Sequence, residues 1–93
     1  MMKGNIMTQN FSYRCRYQVS LALQNGRSMS TLGISHGQNS IEAYDVRESD
    51  IFSSVVDKVF NTVYLQKIQG RYDADEIMGI TISVENLSYQ LSQ

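Results

Sequence analysis

The sequence predicts an α+β domain built as a two-layer sandwich. An antiparallel β-hairpin and a C-terminal strand pack on one amphipathic helix, with a short extra strand before the helix, in the order β-β-(β)-α-β. Three observations predict it. From Phe11 to Leu23 every odd position is apolar or aromatic, a period of two that belongs to a strand with one wet face. Asn25-Gly26 follows at once, and this dipeptide tolerates the positive φ angles of a tight hairpin turn. Between Ile51 and Ile68, apolar residues recur in pairs every four positions, as on one face of a helix.

Residues 1–10 are polar and without periodicity, and read as a flexible lead-in to a single domain over 11–93. The hairpin occupies about 11–36. A two-residue Asn25-Gly26 loop sets Gln24 against Arg27, Val19 against Leu32, Tyr17 against Ile34 and Cys15 against His36. In that register Leu32 and Ile34 join the buried face, so apolar side chains meet apolar ones. Arg14, Arg16, Gln18, Arg27, Met29, Thr31 and Ser35 then share the wet face, and Gly33 marks a bulge or a close approach. A strand of this length spans roughly 43 Å, against a radius of gyration of about 12 Å for a compact chain of this size. The ribbon must therefore bend, protrude or lie against a second copy.

Gly37-Gln38-Asn39-Ser40 reads as a loop and Ile41 to Val46 as the short extra strand. Ser49 or Asp50 caps the helix, whose first turn is acidic and whose end is marked by Lys67, Gly70 and Arg71. Met78, Ile80, Ile82 and Val84 alternate with polar residues as a final strand, and the alternation slips by one at Glu85-Asn86, where a bulge is expected. The expected core is Tyr17, Val19, Leu21, Leu32, Ile34, Phe52, Val56, Val59, Phe60, Val63, Ile80, Ile82 and Val84.

Composition narrows the function. With 42% hydrophobic and 18% charged residues in 93, the chain reads as one folded, soluble domain. No apolar run is long enough for a membrane span and the first residues lack a signal-peptide core, so a cytoplasmic location and no membrane contact are expected. The net charge of −1 hides an asymmetry. Residues 1–40 carry +4, from Lys3, Arg14, Arg16 and Arg27 without a single acid, and residues 41–93 carry −5.

Chemistry-bearing groups are sparse. One Cys and one His cannot complete a structural zinc site, and Cys15 reads as a small buried hydrophobe, although the two-residue turn sets it beside His36 as a Cys–His pair would require. Asp73-Ala74-Asp75-Glu76 reads as a solvated acidic turn in place of a cation loop. No catalytic residue, metal or cofactor is expected. The basic hairpin face remains, and the residues expected to bind a partner are Arg14, Arg16, Gln18, Arg27 and Thr31. The expected role is a small non-enzymatic interaction or regulatory protein, an adaptor or inhibitor such as bacteria and mobile elements employ. It would engage a protein partner through that face or a strand edge, and a homodimer is expected from the long edge and the opposed charges. The alternative is a nucleic-acid binder using Arg14, Arg16 and Arg27 on a two-stranded ribbon.

Overall fold

The computed structural model describes residues 6–92. Strand β1 (Met7–Leu23) pairs antiparallel with β2 (Ser28–Ala43) on one side and with β3 (Ile77–Leu91) on the other, giving the order β2-β1-β3. One helix, α1 (Glu48–Val59) with its continuation, crosses one face. The result is the two-layer α+β sandwich that the alternation and the helical spacing predict, and its opposite face is bare.

The strands are longer than expected. β1 begins at Met7 and so takes in four residues of the expected lead-in, whose first five residues lie outside those described. β2 runs without a break through Gly37–Ser40, and there is neither a loop there nor a separate strand at Ile41–Val46. Long ladders keep the sheet extended, at 57 × 29 × 18 Å with a radius of gyration of 16.1 Å. Of the three ways to house a long ribbon, this chain protrudes.

The hairpin register differs by one residue from expectation. Asn25 (φ 73°) and Gly26 (φ 78°) both take the left-handed conformation that the dipeptide favours, but Gln24 joins them in a three-residue loop closed by the Leu23 N–H donating to the Arg27 carbonyl at 2.8 Å. Every partner in β2 therefore moves by one: Val19 faces Thr31, Tyr17 faces Gly33 and Cys15 faces Ser35. A one-residue slip exchanges the two faces of a strand. Leu32 and Ile34 lie on the bare face, 72% and 52% exposed, while Met29, Thr31 and Ser35 turn toward the helix.

The reason lies in the tyrosines. Tyr13 and Tyr17 stand opposite Gly37 and Gly33, and the Tyr17 phenol occupies the space that a Cβ on Gly33 would need. Gly33 is thus a close approach and not a bulge. Tyr13 Oη shares a hydrogen bond with Ser35 Oγ at 2.9 Å. Small residues on the helix-facing side of β2 accommodate these rings, whereas an isoleucine opposite Tyr17 would crowd them.

Helix α1 starts at Glu48 with Arg47 as its N-cap, so neither Ser49 nor Asp50 is the cap; Asp50 acts from the third helical position, its Oδ2 accepting the Arg47 backbone N–H at 2.9 Å. Beyond Val59 the helix widens to a π-helix over Phe60–Ile68, followed by a short 3-10 turn, Gln69–Arg71. The sequence pattern explains the change. Buried Ile51, Val55, Val59 and Val63 recur every four residues, and each such step rotates an α-helical position by about 40°. Wider turns keep the row over the sheet. At the junction, Asn61 Nδ2 and Thr62 Oγ1 donate to the carbonyls of Asp57 and Lys58 at 2.8 and 2.7 Å, competing with the ordinary α-helical donors.

The core is in two parts along the sheet. Phe11, Tyr13 and Cys15 pack under Ile51 and Val55, and Val19 and Leu21 pack under Val59, Val63, Tyr64 and Ile68. Of the expected core, Val19, Leu21, Val59 and Val63 are buried and Tyr17, Val56, Phe60, Ile82 and Val84 are half-buried. Leu32, Ile34, Phe52 and Ile80 are not core: Phe52 (44% exposed) sits on the outer flank of α1, and Ile80 (41%) lies on the edge strand beside Leu21. The expected bulge is present. The β1–β3 register shifts between Arg14 and Arg16, and Asn86 there takes φ 52°.

Candidate functional site

The bare face of the sheet carries the even-numbered side chains of β1, which point away from the helix. Across the ladder to β2, Arg14 faces His36, Arg16 faces Ile34 and Gln18 faces Leu32. Directly opposed side chains on one face lie within contact distance of one another. The centre of the bare face is therefore a mixed patch of two guanidinium groups, two large exposed aliphatic side chains, an imidazole and an amide. Toward the hairpin tip the face turns polar: Ser20 Oγ and Ser30 Oγ hydrogen-bond at 2.9 Å, and Gln18 Nε2 donates to Ser20 Oγ at 3.3 Å.

The fold brings together three of the five residues expected to bind a partner, namely Arg14, Arg16 and Gln18, which are consecutive on the bare face of β1. Arg27 is elsewhere, at the hairpin tip, roughly 23 Å along the strand from Arg16. Thr31 is on the wrong face, paired with buried Val19 beneath the helix layer, because of the register shift. In their place stand Leu32 and Ile34, which sequence reasoning put in the core. One signal for them was present: Tyr13 and Tyr17 are four apart, as are Gly33 and Gly37, and matching large to small selects the observed register.

Glu85 adds a carboxylate that the sequence reading did not place here. It lies opposite Arg16 on the β3 side, so Arg16 has an acid across the ladder and an isoleucine on its other flank. This arrangement lessens the positive field that a phosphate backbone would meet. The arginines also sit on a three-stranded sheet and not on a free two-stranded ribbon.

Cys15 and His36 are not a pair. Cys15 faces Ser35 within the core, 1% exposed, while His36 lies on the bare face opposite Arg14. Burial pushes the Cys15 thiol above its ordinary value, with a backbone hydrogen bond from Ser35 acting the other way. A buried thiol of raised pKa is a poor nucleophile. The segment Asp73–Glu76 closes on itself in a 3-10 turn, Ala74–Glu76, with the Asp73 N–H donating to Glu76 Oε1 at 2.9 Å.

A shallow groove of about 580 Å³ lies between the start of α1 and the end of β3, lined by Glu48, Ser49, Phe52, Ser53, Leu87 and Tyr89. Tyr89 Oη donates to Glu48 Oε2 at 3.3 Å, and burial, then the Glu48 charge, raise the phenol above its usual value. Among the described residues no group of three or more His, Cys, Asp or Glu side chains is placed to hold a metal ion. No helix among them is long and apolar enough to cross a membrane.

Comparison of the chain with protein-family models, curated proteins and solved structures returns no match.

Proposed function

We propose that this chain is a small non-catalytic interaction protein, a cytoplasmic adaptor, inhibitor or regulator, that docks a protein partner on the bare face of its sheet. One observation carries the reading: Leu32 and Ile34 are held in the open beside Arg14 and Arg16 on strands too regular to be an accident of a loop. Large aliphatic side chains facing water gain when a partner covers them, at about 25 cal/mol per Å² of apolar surface. Arginine and large apolar groups at the centre of a patch, with neutral polar groups around it, are the chemistry of protein interfaces. The partner that fits presents carboxylates to Arg14 and Arg16 and an apolar ridge to Leu32 and Ile34. A lone buried thiol suits a reducing compartment, which supports the cytoplasmic assignment.

The experiment is capture of partners from the source cell with the wild-type chain and with Leu32→Ser plus Ile34→Ser, followed by titration of each purified partner. Both side chains are exposed, so each change is expected to alter folding stability by no more than about 0.5 kcal/mol, while partner affinity falls at least about tenfold. A partner that binds the double variant as tightly as the wild type would refute docking on this face. Binding to a mixed-sequence DNA duplex that weakens steeply with salt would favour the nucleic-acid alternative.

A further inference from the structure

The two edges of the sheet are not alike. The Leu23 N–H to Arg27 carbonyl bond makes 23 and 27 a hydrogen-bonded pair, and antiparallel ladders alternate. Odd residues of β2 therefore bond to β1, and the even residues from Ser28 to Glu42 turn their N–H and C=O groups outward. This row is continuous, since the β1–β2 register runs from Met7 to Ala22 without a shift. On β3 the outward row is broken by the bulge at Glu85–Asn86 and a second register shift between Ala22 and Leu23. Bulges, Lys and Pro are what keep exposed edges from pairing. β2 has none of them, and Glu42 is its sole carboxylate.

We propose that a second copy of this chain pairs with β2 along this edge, antiparallel and about a two-fold axis through Ser35, to form a continuous six-stranded sheet. The inference deepens the strand-edge side of the interaction role above and does not need the open-face partner. Three features single out this register. It overlaps β2 with its counterpart over nearly its full length. On the helix side it sets Met29 against Ile41 of the other copy, apolar against apolar, while on the bare face Ile34 stands opposite His36 of the other copy and diagonal to its own counterpart. It also lays the end carrying Arg27 along the end carrying Glu42 and Asp45. An edge of about 50 Å and a sheet thickness of about 10 Å bury roughly 500 Å² per copy, or about 1,000 Å² in all, the size at which specific interfaces begin. The axis is perpendicular to the sheet, so both helices lie on one side. The other side becomes a single surface with Arg14 and Arg16 of each copy flanking a shared aliphatic centre.

Sedimentation equilibrium of the full chain tests this directly. The expected mass is twice the 10.6 kDa of one chain. Ser30→Pro and Ser40→Pro each remove an outward N–H and no backbone bond to β1, Ser30→Pro also giving up the exposed Ser20–Ser30 hydroxyl pair, so each is expected to raise the dimer dissociation constant at least about tenfold with the circular dichroism unchanged. Thr31→Cys with Asn39→Cys supplies an independent arm. In the proposed register each is opposite the other across the axis, at the roughly 4.5 Å Cα spacing of a pair without hydrogen bonds, close enough for a disulfide. Within one chain they are eight strand positions apart, roughly 27 Å, so oxidised glutathione is expected to yield a covalent dimer and Thr31→Cys alone none. A monomeric wild type, a dimer indifferent to both prolines, or a cysteine pair that does not cross-link would overturn the proposal. Neither proline alters Arg14, Arg16, Leu32 or Ile34, so partner titration with these variants reads the open-face proposal separately.

Discussion

Phe11→Ala is expected to lower folding stability by about 3–5 kcal/mol, as emptying a fully buried aromatic site does. Phe11 is 0% exposed, its ring tilts against Tyr13 at 6.2 Å, and it sits in the cluster with Cys15, Ile51 and Val55 that anchors the start of the helix. A domain of this size has about 5–15 kcal/mol to lose, so the melting temperature is expected to drop by about 12 °C or more. Thermal unfolding followed by circular dichroism measures it. A change below about 1 kcal/mol would mean that the first core cluster does not form and that the sheet is held by the Val19–Leu21 end alone.

Arg14→Glu combined with Arg16→Glu is expected to weaken a purified protein partner by at least about 100-fold, since losing a desolvated charge pair costs about 2–5 kcal/mol at each position. The fold is expected to survive. Both side chains are on the bare face, and the one local cost is that Arg16→Glu faces Glu85, a like-charge cross-strand pair worth up to about 1 kcal/mol. Titration calorimetry beside a thermal melt separates the two effects. Unchanged affinity in a folded variant would remove the arginines from the site, and Arg27→Glu serves as a control because Arg27 is at the far tip of the hairpin.

Most of the fold was legible in the sequence because its signals are local. Alternation over Phe11–Leu23, Asn25-Gly26 and the slip at Glu85-Asn86 each report backbone conformation directly, and all three are present where the residues place them. The hairpin register was not legible from the turn. Asn25 and Gly26 take positive φ angles in a three-residue loop just as they would in a two-residue one, so the dipeptide does not say whether Gln24 belongs to the strand or to the loop. Grouping apolar with apolar then favoured burying Leu32 and Ile34. The fold instead places Gly33 and Ser35 on the helix-facing side of β2, where Gly33 leaves room for the Tyr17 ring and Ser35 bonds the Tyr13 hydroxyl.

The same single step decides the candidate site. With Leu32 and Ile34 buried, the bare face would be a polar, basic ribbon suited to phosphate. With them exposed beside Arg14 and Arg16, it is a mixed patch, the chemistry on which the proposed protein partner rests. The helix hides a smaller lesson of the same kind: its valines at every fourth position read as α-helical, and only the rotation accumulated over the three steps from Ile51 to Val63 and the side-chain bonds of Asn61 and Thr62 account for the π segment.

The hairpin register is thus the claim on which the rest depends, and one nuclear Overhauser measurement tests it. Arg16 and Ile34 form a pair without mutual hydrogen bonds, which brings their Cα atoms to about 4.5 Å and their Hα atoms into close contact. A strong Hα–Hα cross-peak between Arg16 and Ile34 is expected. A strong Hα–Hα cross-peak between Tyr17 and Ile34 in its place would return Ile34 to the core and contradict the site described above.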